Sequence, residues 1–191
     1  MDELLVDGGV IRKLWIGEAA RYRDHLLRLD AESRRTRFGL ALADDLIEAF
    51  VGSPTWSGAV VHGFLVDGVL RGVAELRPFG AAFPTEAEAA FSVEKPWQSH
   101  GVGSALLART LLAARNRGIR HVHMACLPDN ARMQQLACKF AAELSFDFGN
   151  VVGEVAAAHP TPLSILREIV ADGHGFANAM LDAQARWLKA A

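Results

Sequence analysis

The feature that most constrains this chain is a glycine-containing hexapeptide between a short apolar strand and a long helix. Residues 89–93 have the composition of a strand, residues 98–103 are Gln-Ser-His-Gly-Val-Gly, and residues 104–117 form an uninterrupted helical stretch. Glycines let the backbone turn tightly and approach a ligand, and the first N–H groups of a helix point outward with the positive end of its dipole. The sequence therefore predicts an anion cradle suited to a pyrophosphate.

Two widespread phosphate-binding motifs do not fit this hexapeptide. A nucleotide P-loop ends in Gly-Lys-Ser or Gly-Lys-Thr, whereas Gly103 is followed by Ser104 and Ala105. The dinucleotide fingerprint needs a third glycine where Leu106 stands and an acidic residue about 20 positions later. Residues 121–126 contain no acidic side chain, so both motifs are excluded.

The remaining pattern, Gln-x-x-Gly-x-Gly after a strand, resembles the acyl-CoA pyrophosphate loop of the GNAT-type N-acetyltransferase superfamily. In that superfamily the next strand is followed by an Asn that opens another helix. Here an apolar strand over residues 121–127 leads to Asn130 and a predicted helix over residues 131–144. The order and spacing agree from about residue 87 to residue 140, and the Arg-rich segment 33–38 resembles the region ahead of the sheet in GNAT domains that act on protein lysines.

The resemblance implies an α/β (α+β) fold with a mixed, mostly antiparallel central sheet. Two central strands of such a sheet splay apart, and helices flank both faces. The residues agree with this, because extended runs at 59–66 and 69–76 are joined by Asp67-Gly68, a two-residue hairpin signal. For the Arg-rich segment itself we favour a solvated turn anchored by Phe38 over a phosphate-binding patch.

Beyond this core, two C-terminal helices are predicted. Thr161 and Pro162 begin the first, which ends at Gly173, and the second covers residues 176–189. The chain is accordingly divided into a GNAT-like domain, residues 1–158, and a helical extension, residues 159–191. The extension is expected to pack on the domain or at a subunit interface, with a homodimer as one possibility.

Composition narrows the function classes. The chain has 191 residues, a net charge of −2 and a sequence pI near 6.4, which argues against a general nucleic-acid or membrane-surface binder. The first five residues are acidic where a signal peptide is basic, and no apolar stretch reaches the ~18 residues of a membrane span. We therefore expect a cytoplasmic protein. Its two cysteines, Cys126 and Cys138, are expected to be core or near-core thiols.

The resemblance implies acetyl-CoA as co-substrate and assigns residues to it. The backbone of the strand before the loop would pair with pantetheine, the loop would hold the pyrophosphate, and the Asn-led helix would contact the pantetheine arm. The corresponding positions are Phe91, Ser92 and Val93 for the strand, Gln98, Ser99, His100, Gly101, Val102, Gly103 and Ser104 for the loop, and Asn130 and Met133 for the helix. Asn130 has a second interpretation, because Asn is also an ordinary helix cap.

Acetyl transfer to an amine needs a base that removes the ammonium proton. Glu88 is the first candidate, because many members of the superfamily carry a glutamate at this point of the strand. Glu75, on the neighbouring hairpin strand, and His123 are the alternatives. His121 and His123 share a strand face, but no third ligand is evident nearby, so no metal cofactor is expected.

One departure from the family pattern affects the leaving group. Many relatives carry a Tyr, as general acid toward the CoA sulfur, where this chain has Ala137. The sequence therefore predicts an N-acetyltransferase that works by direct transfer in a ternary complex, with a non-catalytic acyl-CoA-binding regulatory module as the alternative. The acceptor is expected to be a small-molecule amine, a protein lysine or a protein amino terminus, and neither nucleic acid nor a membrane is expected as a partner.

Overall fold

A single eight-stranded sheet organises the chain in the computed structural model, which describes residues 5–52, 58–80, 82–147 and 149–190. The strands lie in the order β1-β2-β3-β4-β5-β6-β8-β7. Their bounds are β1 Leu5–Val6, β2 Gly9–Lys13, β3 Val60–Val66, β4 Val69–Pro78, β5 Glu86–Val93, β6 His121–Cys126, β7 Glu143–Asp147 and β8 Asn150–Ala156. Residues 1–4, the acidic start on which part of the localisation argument rests, lie outside the described residues, as does residue 191.

Six α-helices flank this sheet in the described part of the chain. They are α1 Ala19–Arg28, α2 Ala31–Phe38, α3 Asp44–Gly52, α4 Val102–Asn116, α5 Ala131–Lys139 and α6 Pro162–Ala190. Two short 3₁₀ turns, Ile16–Glu18 and Lys95–Trp97, precede α1 and the glycine loop. Among the described helices, none has the length and apolar character needed to cross a membrane.

Strand pairing confirms the predicted fold class. All described neighbouring strands are antiparallel except β5 and β6, which run parallel. The hairpin between β3 and β4 turns at Asp67 and Gly68, both with positive φ, as the residue pair predicts. The chain thus builds an antiparallel meander first and then crosses through α4 to reach β6.

The sheet has an apolar core on each face. One face packs against α4 and α5, where Leu76, Ala89 and Met124 are buried together with Leu107 of α4. The opposite face packs against α1 and α3, around a cluster that includes Tyr22. Two covered faces explain why most successive residues of β3 and β4 are buried, rather than every second one.

The C-terminal extension is one helix, so the prediction of two helices is wrong. Helix α6 continues through Gly173 without a break. Glycine costs only about 1 kcal/mol in a helix interior, and tertiary contacts outweigh that cost here. Glu168 forms an ion pair with Arg117 and Asp172 one with Arg109, each at 2.6 Å, which holds this part of the helix on α4.

Two further boundaries differ from the sequence-based expectation. The Arg-rich segment 33–38, expected as a solvated turn, belongs to helix α2. The Asp30 side chain caps this helix by accepting a hydrogen bond from Ser33 N at 2.7 Å, and Gly39 ends it with φ of 80°. Helix α5 ends at Lys139 rather than at residue 144, because β7 begins at Glu143.

Candidate functional site

The only parallel strand pair in the described sheet separates after three residue pairs. Glu86, Ala87 and Glu88 of β5 are in register with residues 121–123 of β6, and no later pair follows although both strands continue. The last pair is Glu88 with His123. The predicted splay therefore starts at these two residues, and a wedge-shaped gap opens from there toward the glycine loop.

The backbone of β5 beyond the splay is directed into this gap. Glu86 O accepts from Phe79 N and Glu94 N donates to Arg71 O, both at 2.9 Å, so the even-numbered residues of β5 face β4. Because successive peptide groups of a strand point to opposite sides, the N–H and C=O groups of Phe91 and Val93 face the gap. Gln98 Nε2 already donates to Val93 O at 2.8 Å, so an extended amide chain can pair with the Phe91 groups and with the Val93 N–H.

The glycine loop joins the end of β5 to α4. Gly101 has φ of 83° and is the N-cap of α4, a left-handed conformation that favours glycine. A Cβ at Gly103 would have only Leu136 within 4 Å, at 3.6 Å, so the protein itself leaves that side open. The first-turn N–H groups of α4, which have no carbonyl partner within the helix, are thus approachable by an anion.

A groove of about 740 Å³ connects the splay with the loop. Ten of the twelve predicted cofactor-binding residues line it: Phe91, Ser92, Val93, Gln98, Ser99, Gly101, Gly103, Ser104, Asn130 and Met133. The other two point elsewhere, because His100 Nδ1 lies 2.6 Å from Asp7 Oδ2 and the Val102 side chain is buried in the core. Their backbone groups remain part of the loop.

Helix α2 supplies a groove wall that the sequence analysis missed. Ser33, Arg35 and Thr36 line the groove on this side. A signal was present in the sequence, since Asp30 is a favoured N-cap residue, Gly39 is a favoured helix-ending residue, and the eight residues between them form the helix. Arg35 also reaches across to Asp129, just before α5, with a distance of 2.6 Å between Nη2 and Oδ2.

Basic side chains surround the loop end of the groove. Arg132 Nη1 donates to Gln98 Oε1 at 2.9 Å, and Lys139 Nζ donates to Ser104 Oγ at 3.1 Å. Both cations line the groove and stand next to loop residues. Positive charge beside exposed helix N–H groups matches the requirements of a polyphosphate ligand.

Asn130 caps helix α5 and also lines the groove. Its Oδ1 accepts a hydrogen bond from Met133 N at 3.2 Å, which is the helix-cap role. The residue also lines the groove. Since an Asn amide has two further donors on its nitrogen, capping leaves Asn130 able to bind a carbonyl oxygen in the groove.

The three candidate bases have different surroundings. Glu88 is half-buried at the start of the splay, opposite His123 in β6. His123 Nε2 lies 3.4 Å from Glu86 Oε2, and its ring centroid lies 6.0 Å from that of Phe79. Sheet register puts the side chains of Glu88 and His123 on the same face, at the narrow end of the gap.

Glu75 is instead the centre of a buried ionic network. The carboxylate is 1% exposed and accepts hydrogen bonds from the Tyr22 hydroxyl and from the guanidinium groups of Arg37 and Arg77. Burial by itself would raise the pKa of Glu75, but the charges of the two arginines outweigh it and hold that pKa below its ordinary value. Burial and the neighbouring Glu75 charge raise the pKa of Tyr22. A carboxylate held this way is a weak base.

The position of the missing tyrosine is part of the core. Ala137 is 2% exposed and belongs to the apolar cluster on the α4 side of the sheet.

Of the two cysteines, Cys126 is buried as predicted, whereas Cys138 is exposed, so the expectation of a core thiol is wrong there. In the described residues, no group of three or more His, Cys, Asp or Glu side chains is placed to hold a metal ion.

Comparison with known proteins identifies what this architecture is similar to. The model of the acetyltransferase (GNAT) family matches residues 23–141. The GNAT domain of S. lividans PAT has 27% sequence identity and a TM-score of 0.68, covering 80% of this chain and 94% of that one. The yncA protein of Salmonella typhimurium, solved with its cofactor acetyl-CoA, has 18% identity and a TM-score of 0.59, covering 82% and 98%.

A third similar structure is a larger protein. The cAMP-binding acyltransferase from Mycobacterium smegmatis has 18% identity and a TM-score of 0.56, with 84% of this chain and 49% of that chain covered. This chain thus spans about half the length of that protein. At this identity the likeness concerns the fold.

Proposed function

Because this chain belongs to the acetyltransferase (GNAT) family, we propose that it transfers the acetyl group of acetyl-CoA directly to a primary amine within a ternary complex. The observation that carries this proposal is the convergence of the β5 backbone beyond the splay and the glycine loop on one groove, with Glu88 at the point where β5 and β6 separate. A carboxylate at that point stands where an amine would meet the thioester of a pantetheine arm lying along β5.

The residues present fit acetyl-CoA. A Cβ at Gly103 would extend into the space where a pyrophosphate approaches the helix N-terminus, and Arg132 and Lys139 supply positive charge at the same end. The C=O of Phe91 and the N–H of Val93 are offered to the pantetheine amides. When bound, acetyl-CoA supplies an activated acetyl group whose thiolate leaving group has a pKa near that of cysteine, about 8.5.

In the proposed reaction Glu88 accepts the proton of the attacking ammonium group, directly or through one water. The free amine then forms the new C–N bond as the C–S bond breaks, and the second proton that the nitrogen loses passes through solvent to the CoA sulfur, so that CoA leaves as the thiol. Glu88 is preferred to Glu75, because two arginines hold the Glu75 charge in a buried network. His123 shares the sheet face of Glu88 and remains the second candidate for the base. The acceptor class we propose is an amine of a small molecule or of a protein.

A regulatory acyl-CoA-binding module is the second candidate function. The observation behind it is Ala137, whose burial leaves no acid at the position where many relatives carry Tyr. Under this alternative the groove binds acetyl-CoA but no amine in a broad panel is acetylated. Binding and transfer must therefore be measured separately.

The test combines acetyl-CoA binding with a Glu88→Gln substitution. Glutamine keeps the shape and hydrogen bonding of the side chain but cannot take a proton. We expect kcat on an accepted amine to fall by about 10²-fold or more, with acetyl-CoA affinity nearly intact. A parallel His123→Gln protein tests the second candidate for the base at the same end of the gap. Full activity of Glu88→Gln on an amine that the wild type acetylates would contradict the assigned base.

A further inference from the structure

Ser92, His25 and Glu94 are buried and hydrogen-bonded in a row beside the groove, and none of their side chains has a role in the transfer proposed above. His25 Nε2 lies 2.9 Å from Ser92 Oγ, and His25 Nδ1 lies 3.3 Å from Glu94 Oε1. The exposed fractions of the three residues are 0% for His25 and 7% for both Ser92 and Glu94. Ser92 is the member that lines the groove.

The partners determine how the protons are placed. Glu94 also accepts from Arg28 Nε at 2.8 Å and from Arg71 Nη1 at 2.9 Å, so its carboxylate is ionised and firmly oriented. Because a carboxylate can only accept, His25 carries its proton on Nδ1, and its Nε2 accepts the Ser92 hydroxyl proton. A hydroxyl bonded to a base that a carboxylate orients is the arrangement of an activated nucleophile.

The state of His25 and the nearby backbone suit this role. Burial lowers the pKa of His25 despite the opposing effect of Glu94, so the imidazole is neutral near pH 7 and able to accept a proton. The N–H of Phe91, next in the strand, faces the gap and can donate to an oxyanion. Nucleophile, base, orienting carboxylate and oxyanion donor thus meet at one segment of β5.

We propose that Ser92, His25 and Glu94 form a second catalytic centre, which hydrolyses acetyl-CoA through an acetyl-serine when no amine is bound. This proposal rests on the proposed binding of acetyl-CoA in the groove. Ser92 Oγ attacks the thioester carbonyl, the Oγ–C bond forms and the C–S bond breaks. The hydroxyl proton passes to His25 Nε2 and from there to the CoA sulfur, which leaves as a thiol.

The second half of the reaction regenerates the serine. Water attacks the acetyl-serine carbonyl while His25 Nε2 accepts a water proton. His25 then returns this proton to Ser92 Oγ as the ester bond breaks, and acetic acid leaves. The overall reaction consumes one acetyl-CoA and one water and gives CoA and acetic acid. It also provides a proton for the CoA sulfur that Ala137 cannot supply.

The experiment measures acetate release from acetyl-CoA by the full chain without an amine. Acetate is measured rather than thiol, because the exposed Cys138 would react with thiol reagents. We expect Ser92→Ala and His25→Gln each to release acetate about 10²-fold more slowly than the wild type. His62→Gln is the matched control, since His62 is also fully buried but lies near Arg109 and Arg117 on the α4 side of the sheet, away from the groove. It should keep the wild-type rate.

Each outcome has a defined meaning. If His25→Gln does not fold, Ser92→Ala decides the question. Wild-type acetate release by folded Ser92→Ala, or no release by the wild type above buffer, overturns the proposal. An equal loss of acetate release and of amine transfer in Ser92→Ala also overturns it, because the network would then only position the strand. Failure of acetyl-CoA to raise the melting temperature of the wild type would instead refute the proposed function.

Discussion

The substitution Glu75→Gln tests whether the buried carboxylate of β4 is structural or catalytic. Its charge is shared by Arg37 and Arg77, whose side chains are 11% and 23% exposed. Removing one partner of a buried ion pair costs about 3–5 kcal/mol, because the remaining charge stays desolvated. For a chain of this size each kcal/mol lowers Tm by about 2–4 °C, so we expect Tm to fall by about 6–20 °C.

The matched control is Asp24→Asn, which removes an exposed ion pair on α1. Asp24 lies 2.7 Å from Arg23, and both side chains are more than 40% exposed. Exposed pairs of this kind contribute about 0–1 kcal/mol, so this variant should unfold within a few degrees of the wild type. Thermal unfolding followed by circular dichroism measures both proteins under the same conditions.

The pH dependence of stability is a second test of the same network. The folded-state pKa of Glu75 lies below its unfolded value of 4.5, so the carboxylate stabilises the fold above that pH and loses its contribution as the pH falls through the folded pKa. The free-energy difference between wild type and Glu75→Gln should therefore shrink below about pH 4.5.

Two results would refute this reasoning. One is a Glu75→Gln protein as stable as the wild type at pH 7. The other is a fully folded variant whose kcat has fallen by about 10²-fold at a temperature far below its Tm, which would make Glu75 the base.

Three further predictions follow from the groove and from α6. Gly103→Ala should leave Tm unchanged or slightly raised, because the new Cβ lies 3.6 Å from Leu136 and Ala favours the helix by about 0.5–1 kcal/mol. The same variant should lose the rise in Tm that acetyl-CoA causes in the wild type. A rise as large as that of the wild type would contradict the loop assignment. Arg132→Gln should raise the Kd for acetyl-CoA by about tenfold at low salt, with a smaller effect at high salt in calorimetry; an effect independent of salt would argue against a phosphate contact. Sedimentation equilibrium of the full chain should detect a dimer that buries the exposed apolar face of α6. On that face Leu166, Ile169 and Phe176 are each more than half exposed. A monomer at all protein concentrations would contradict this prediction.

The sequence by itself determined the local elements that have their own signals. The cradle was predictable, because glycines before a helix specify a backbone geometry whatever surrounds them. The Asp67-Gly68 hairpin and the order of strands around the loop were predictable for the same reason. Ten of the twelve predicted cofactor-binding residues line the groove, because the family resemblance that assigned them also implies how the strand, the loop and the Asn-led helix meet in space.

Only the tertiary structure decided what depends on residues far apart in the chain. Arg37 is exposed by every local criterion, yet it becomes a buried partner of Glu75, 38 residues away, and makes α2 a groove wall. His25 meets Ser92 across 67 residues, and α6 passes Gly173 because distant ion pairs with α4 outweigh a weak local breaker. A local propensity changes the free energy of folding by at most about 1 kcal/mol per residue, whereas disrupting a buried charge network or a packed face costs several kcal/mol. These contacts are therefore determined by the tertiary structure.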